Sequence, residues 1–125
     1  MQLTPNFTLK EFRCKDGTDV PDAIFVNVQE LANNLQILRD TIGKPITIIS
    51  GYRTPEYNQN CGGAPLSQHL TAKAGDLKAS GMTSDELHAV IIRLIDEGKM
   101  KQGGVGLYPT FVHYDIRGTK ARWGA

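Results

Sequence analysis

The longest hydrophobic pattern in the chain predicts an amphipathic helix that begins near Asp22. Its apolar positions recur every three or four residues, as on one face of an α-helix; they are Ile24, Val28, Leu31, Leu35, Leu38 and Ile42. Gly43 and Pro45 follow and predict the end of the helix. We therefore expect a helix over residues 22–42 with one buried face.

Three other segments carry the signals of a helix N-terminus. Thr8 and Glu11 have the spacing of a capping box, in which the two residues satisfy each other's backbone N–H groups. Residues 82–87 repeat this arrangement before a second apolar stripe that ends near Gly98. A short helix is also expected after Thr54, because Thr caps well and Pro is favoured at the first helical position.

Short β-branched segments predict the strands of a small sheet. Residues 46–50 and 75–79 are candidate strands, and residues 105–108 and 111–117 flank a Pro-Thr turn and predict a hairpin. The combination predicts an α+β fold, in which helices cover one face of a small, mainly antiparallel sheet. We expect a zinc site on the other face, for the reasons that follow.

The last predicted strand separates apolar from chemically active side chains. Alternation along a strand places Val112, Tyr114 and Ile116 on one face. The opposite face then carries four residues, three of which are polar or charged: Phe111, His113, Asp115 and Arg117. The sheet is therefore expected to have one core face and one face that holds a functional site.

Composition limits the classes of protein that fit. A length of 125 residues fits one domain, residues 1–125, and 14 basic against 13 acidic residues leave no field to attract nucleic acid. No apolar run approaches the roughly 18 to 20 residues of a membrane span, and the N-terminus lacks the features of a signal peptide. Cys14 and Cys61 follow no metal-binding spacing and are expected to be free thiols.

His69, Asp76 and His113 are candidate ligands of a metal ion. Neutral imidazole and carboxylate both suit Zn²⁺, and three protein ligands with a fourth position for water are typical of catalytic zinc. Zinc lowers the pKa of water to about 7 and polarises a carbonyl group, which is what amide hydrolysis requires. The alternative is that these are an ordinary surface histidine, a strand-end aspartate and a structural histidine.

Several ordered motifs together resemble one family of metallopeptidases. They are Ser50-Gly51-Tyr52-Arg53-Thr54-Pro55, Gly62-Gly63-Ala64, Ser67-Gln68-His69 with Asp76, the segment Gly106 to Asp115, and the opening Phe7 to Phe12. This set is similar to the zinc D-alanyl-D-alanine carboxypeptidase family, which has the hedgehog/DD-peptidase fold, and particularly to its small single-domain members. The resemblance spans nearly the whole chain.

The resemblance implies roles for individual residues. His69, Asp76 and His113 would bind Zn²⁺, and Arg53 would hold a substrate carboxylate or stabilise the developing oxyanion. Ser67 would hydrogen-bond the substrate, with a cap or turn role as the alternative. Tyr108 is a further candidate for substrate contact, with simple packing as its alternative.

The general base is the point at which this chain departs from the family. Many members have a glutamate three residues before the last histidine ligand, whereas this chain has Thr110. Asp115 is the predicted replacement, because it lies on the same face as His113 at roughly 7 Å along the strand. The alternative for Asp115 is an ion pair with Arg117 or Arg122.

These features predict a zinc peptidase acting on the stem peptides of peptidoglycan in the cell wall, as a monomer. The favoured activity is D-alanyl-D-alanine carboxypeptidase. The alternatives are an endopeptidase that cuts elsewhere in the stem peptide or cross-bridge, a non-catalytic zinc-containing binding domain, and a metal-free interaction domain. Since no signal peptide is seen, we expect a phage lysin released at lysis or a trimmed exported protein.

Overall fold

The computed structural model of the protein describes residues 1–124 and has an α+β fold. Within these residues the three α-helices are α1 (Phe25–Ile42), α2 (Pro55–Asn60) and α3 (Ser84–Asp96). The same part of the chain forms seven strands: β1 (Gln2–Thr4), β2 (Phe7–Thr8), β3 (Ile46–Ser50), β4 (Ala74–Ala79), β5 (Gly104–Leu107), β6 (Val112–Asp115) and β7 (Ala121–Trp123). Three 3-10 turns complete the set: Leu9–Phe12, Asp22–Ile24 and Gln68–Thr71.

The main sheet has five strands in the order β3-β4-β6-β5-β7. All neighbouring strands are antiparallel except β5 and β7, which are parallel. In the β4–β6 register, Asp76 lies directly opposite His113. The predicted α+β fold with a small, mainly antiparallel sheet is therefore confirmed, and the register brings two of the three predicted ligands together.

Helix α1 supplies one wall of the core. Residues Asp22–Ile24 form a 3-10 turn, so the α-helix begins at Phe25 and not at residue 22. It ends at Gly43, whose φ of 64° is the left-handed conformation that glycine adopts readily. Its buried residues pack with the core face of the sheet, which includes the predicted Val112, Tyr114 and Ile116. The helical stripe and the strand alternation thus define a common core.

The predicted caps are present. Glu11 accepts hydrogen bonds from the backbone N–H and the hydroxyl of Thr8, although the helix that follows is only a 3-10 turn. Thr83 and Glu86 form the second capping box at the start of α3, and the Thr54 hydroxyl caps α2. None of the helices in residues 1–124 is long and apolar enough to cross a membrane.

The structure adds three strands to those predicted. β1 pairs with β2 in a two-stranded ribbon, and β7 extends the main sheet beside β5. Both predicted cysteines are free, Cys14 in the core and Cys61 at the surface. Of the added strands, β7 bears on function, because it carries Trp123 to the predicted metal site.

Candidate metal centre

Three buried side chains converge above the middle of the main sheet. They are His69 from the 3-10 turn, Asp76 from β4 and His113 from β6, and their potential ligand atoms all lie within 4.8 Å of one another. Asp76 and His113 meet because they face each other in register, whereas His69 reaches them from the preceding loop. The three residues are positioned to bind one metal ion.

A backbone carbonyl fixes the orientation of His69. Its Nδ1 lies 2.7 Å from the carbonyl oxygen of Gly51, so the Nδ1–H donates there and Nε2 carries the lone pair. Nε2 lies 3.3 Å from Asp76 Oδ1. Gly51 itself must be glycine, because a Cβ there would lie 2.7 Å from the carbonyl oxygen of Phe12. The close packing of that loop therefore places the acceptor for His69.

His113 is oriented by Asp115, and with the opposite ring nitrogen. Its Nε2 lies 2.7 Å from Asp115 Oδ2, and its Nδ1 lies 3.2 Å from Asp76 Oδ1. The ring also packs against Trp123, with ring centroids 4.9 Å apart. His113 therefore donates Nε2–H to Asp115 and turns Nδ1 toward Asp76 and His69.

The convergent atoms fit a cation with the properties of zinc. With both imidazoles neutral, the lone pairs of His69 Nε2 and His113 Nδ1 point toward Asp76 Oδ1. No proton then lies between either nitrogen and this oxygen, so the three atoms are free to bind a cation. Two ligands of a tetrahedral zinc, each at about 2.0 to 2.1 Å, lie roughly 3.3 Å apart. The two N to O distances of 3.3 and 3.2 Å match this separation.

Asp115 is buried beneath the site. Its Oδ1 accepts hydrogen bonds from the backbone N–H of Gly104 and from the backbone N–H and Nε of Arg117, and its Oδ2 accepts from Arg117 Nη2 and His113. The side chain has no exposed surface and is not part of the cleft wall. The ion pair with Arg117, which the sequence offered as the alternative to the base role, is therefore present. Arg122 instead donates to the Gly103 carbonyl and to Gln102.

These contacts shift the ionisation of the cluster in the metal-free protein. Without metal, the ring nitrogens that face Asp76 are free to take up a proton. Burial would raise the pKa of Asp76, but hydrogen bonds from the protonated rings of His113 and His69 hold it well below its ordinary value. Burial likewise opposes ionisation of Asp115, and hydrogen bonds from His113, Arg117 and Gly104 lower its pKa. Burial would lower the pKa of His113, yet its bonds to Asp115 and Asp76 raise it. Both carboxylates are thus charged at neutral pH.

Arg53 lies beside the ligand cluster and is held by an amide. Its Nη2 lies 3.4 Å from Asp76 Oδ2, and its Nη1 donates to Asn58 Oδ1 at 3.2 Å. Asn58 is buried, and its Nδ2 donates to the Ala64 carbonyl at 2.8 Å. Asn58 therefore connects Arg53 to the loop that contains Gly62 and Gly63. This residue carried no signal in the sequence, because an amide in a short helix is usually exposed.

The cluster lies at the floor of a cleft of about 550 Å³. One side is the loop that contains Gly62, Gly63 and the exposed Leu66. The other side is aromatic: Tyr108 stacks on Phe111 with centroids 4.4 Å apart, and Trp123 Nε1 donates to the Tyr108 hydroxyl at 2.9 Å.

Two of the predicted substrate contacts line this cleft, and both also have structural roles. Ser67 caps the 3-10 turn by accepting a hydrogen bond from the His69 N–H at 3.2 Å. Tyr108 belongs to the aromatic wall described above. Thr110 is exposed in the hairpin turn and does not line this cleft. The position at which many family members have the glutamate base therefore carries no acidic side chain in this protein. The roles of Ser67 and Tyr108 toward substrate stay predictions.

Comparison with known proteins decides the family. The family model described as peptidase M15 matches residues 2–115, which include all three candidate ligands and Arg53. The chain belongs to the peptidase M15 family. This family of metallopeptidases uses zinc, so the chain is a zinc-dependent peptidase, and the family supports action on peptidoglycan in general. No curated protein sequence matches the chain. The M15 match ends at Asp115, so β7 and Trp123 lie beyond it.

Proposed function

We propose that this M15 peptidase hydrolyses a peptide bond of a D-amino acid in peptidoglycan stem peptides at the cell wall, with D-alanyl-D-alanine carboxypeptidase as the first candidate. The observation that carries the proposal is the convergence of His69, Asp76 and His113 at the floor of an open cleft, with Arg53 beside them. A free carboxylate at the end of the substrate would meet the guanidinium of Arg53.

The three ligand residues would hold zinc, and the rest of the cleft would orient the peptide. When bound, zinc supplies a Lewis acid that polarises the scissile carbonyl and promotes ionisation of water. The Gly51 carbonyl and Asp115 keep the two imidazoles turned so that their lone pairs face Asp76. The floor of the cleft is therefore organised before substrate arrives, which lowers the cost of reaching the transition state.

Arg53 would position substrate and stabilise negative charge. It is only partly buried, and its contacts with Asp76 and Asn58 hold it at the edge of the ligand cluster. A fixed guanidinium binds a carboxylate or an oxyanion strongly, because its planar N–H groups match the two oxygens.

An endopeptidase is the second candidate, and one feature of the surface favours it. A second groove of about 450 Å³ lies on the other side of Phe111, between β4 and the start of α3. Phe111 lines both the cleft and this groove. A substrate that continues beyond the scissile bond would find room there, whereas a terminal D-alanine would not need it.

Digestion of purified muropeptides tests the proposal and separates the two candidates. The zinc-loaded protein is incubated with a pentapeptide muropeptide and with a cross-linked dimer, and the products are separated by mass. Release of free D-alanine supports the carboxypeptidase, whereas cleavage within the stem or cross-bridge supports the endopeptidase. Arg53→Ala, folded and zinc-loaded, should lose most activity. A zinc-loaded wild type that cleaves neither substrate would contradict the proposed function and favour the non-catalytic binding domain.

A further inference from the structure

We propose that Asp115 is a positioning residue, which holds the His113 ring with Nδ1 toward the metal and takes no part in proton transfer. This inference rests on the proposed zinc site, but it assigns a role that the ligand set alone does not. It also replaces the base role that the sequence suggested. Three features of Asp115 support this role: its enclosure, its hydrogen bonds and its close approach to the backbone of β5.

The enclosure of Asp115 separates it from the cleft. The carboxylate has no exposed surface, and the residues of this region that do line the cleft are His113, Arg117 and Trp123. A general base must lie within hydrogen-bond reach of the water it deprotonates, directly or through one other water. Asp115 faces the edge of the His113 ring that points away from Asp76, which is the wrong side for such a water.

The hydrogen bonds of Asp115 saturate its acceptor capacity. Three N–H groups donate to Oδ1, and Arg117 Nη2 and His113 Nε2 donate to Oδ2. A carboxylate offers about four lone-pair sites, so five donors leave no acceptor site free for a water molecule. The guanidinium of Arg117 in turn lies over the Trp123 ring, with Cζ at 5.6 Å from the centroid. The carboxylate is thus held from several sides.

The backbone leaves room for this carboxylate only because residue 104 is glycine. A Cβ at Gly104 would lie 2.3 Å from Asp115 Oδ2, and one at Gly103 would lie 3.2 Å from Oδ1. The carboxylate therefore lies directly against β5, in space that a side chain at residue 104 would occupy. In a metal site, such an outer partner fixes the tautomer of the ligand and raises its basicity.

Metal affinity distinguishes a positioning residue from a base. Asp115→Ala and Asp115→Asn are compared with wild type by chelator competition for zinc and by turnover. For a positioning residue, both variants should bind zinc about 10 to 100 times more weakly. Asparagine should not rescue, because its NH₂ group faces donors in either orientation. Zinc affinity equal to that of wild type, with turnover reduced by about 10² to 10⁴, would establish Asp115 as the base and overturn the proposal.

Arg117→Lys provides a second variant in case Asp115 variants fold poorly. It keeps the Asp115 carboxylate and its charge partner but removes the two-nitrogen fork. We expect zinc affinity between that of wild type and Asp115→Ala, and an unchanged affinity would count against the proposal. Glu30→Gln, which removes the exposed ion pair with Lys101, is the matched control for loss of a carboxylate and should bind zinc as wild type does.

Nitrogen NMR of the histidine rings gives a readout that requires no activity. The proposal predicts that in the zinc-loaded protein His113 is protonated at Nε2 and His69 at Nδ1, so the two rings show opposite tautomers in one spectrum. Protonation of His113 at Nδ1 would overturn the proposal. If wild type binds zinc in this arrangement but cleaves no muropeptide, the proposed function fails and the positioning role stands.

Discussion

His69 and His113 approach the same oxygen of Asp76 through different ring nitrogens. Nε2 of His69 and Nδ1 of His113 lie 3.3 and 3.2 Å from Asp76 Oδ1. The difference arises because the two rings are anchored at opposite ends, by the Gly51 carbonyl and by Asp115. Because each ring is held by its own anchor, neither histidine can turn to supply the ligand atom of the other. Each histidine should therefore be required separately.

Metal content should therefore depend on each histidine. We expect about one zinc per chain in wild type, and loss of this zinc in both His69→Ala and His113→Ala, because two remaining ligands hold zinc weakly. Zinc should also stabilise the wild-type fold by about 2.7 kcal/mol when free metal is 100 times Kd. Elemental analysis and thermal unfolding measure the two effects.

His88→Ala is the matched control, because His88 lies in α3 and takes no part in the cluster. This variant should retain its zinc. Retention of a full equivalent of zinc by His69→Ala would show that the metal is bound elsewhere, and a wild type that takes up no zinc would remove the catalytic site altogether.

Residue type alone left His69, Asp76 and His113 as candidate ligands with a structural alternative, and the resemblance to one metallopeptidase family implied that they bind one zinc ion together. Two histidines and an aspartate are conspicuous among short strands, and strand alternation placed His113 on the polar face. The environment of Asp115 was not predictable, since it depends on the β5–β6 register and on the absence of a Cβ at Gly104. Proximity to His113 along the strand suggested a base, whereas burial and five donors are the observations that support the positioning role proposed above.

Asn58→Ala should impair substrate binding more than metal binding. The amide holds Arg53 Nη1 and the Ala64 carbonyl together, so its loss frees both the guanidinium and the loop. We expect KM to rise by about tenfold, the size of effect that one net hydrogen bond to a charged group produces, with zinc affinity unchanged. Steady-state kinetics on the cleaved muropeptide measure the change.

Two variants refine this expectation. Asn58→Asp keeps the acceptor for Arg53 and removes the donor to Ala64. It therefore distinguishes the effect of holding the guanidinium from the effect of holding the loop. Asn33→Ala removes an exposed amide of α1 and should leave KM as in wild type. A fall in kcat without a change in KM for Asn58→Ala would mean that Arg53 acts only in the transition state.

Stability of the metal-free protein should peak in mildly acidic solution. The pKa values of Asp76 and Asp115 are lowered from 3.8, so their stabilisation is present above that pH and is lost as pH falls through the lowered values. The pKa of His113 is raised from 6.5, so its stabilisation is present below 6.5 and is lost as pH rises through the raised value. The contribution of the cluster is therefore largest between about pH 4 and 6.5.

Urea unfolding of chelator-treated protein at several pH values measures this dependence. The free energy of unfolding should fall on both sides of the window, and His113→Gln should flatten the alkaline side. Zinc-loaded protein should behave in the opposite way above the window, because zinc binds deprotonated ligands. A metal-free wild type that becomes steadily more stable from acid to alkaline pH would contradict the assigned ionisation.

Ala72→Gly should change the stability of the protein little, because relief of backbone strain is offset by two costs. Ala72 follows the 3-10 turn of His69 with a φ of 59°, a conformation that costs an L-residue roughly 1 to 2 kcal/mol. Removal of its buried methyl group costs about 0.8 kcal/mol. The extra backbone freedom of glycine in the unfolded chain costs about 0.5 to 1 kcal/mol more, so the net change should lie within about 1 kcal/mol of zero. Ala74→Gly in β4 is the control and should destabilise. A fall in melting temperature for Ala72→Gly as large as that for Ala74→Gly would show that the two costs outweigh backbone strain there.

The parallel strand β7 closes the aromatic side of the cleft with a residue that follows all three ligands in the chain. Gly106 leaves space for it, since a Cβ there would lie 2.3 Å from Trp123 Nε1. The three ligands and Asp115, which orients His113, all lie at or before residue 115, eight residues before Trp123. A chain cut after Lys120 would keep the metal ligands, Tyr108 and Phe111 but would lose Trp123 from the aromatic side of the cleft. We therefore expect the cut to alter the fit of substrate more than the binding of metal.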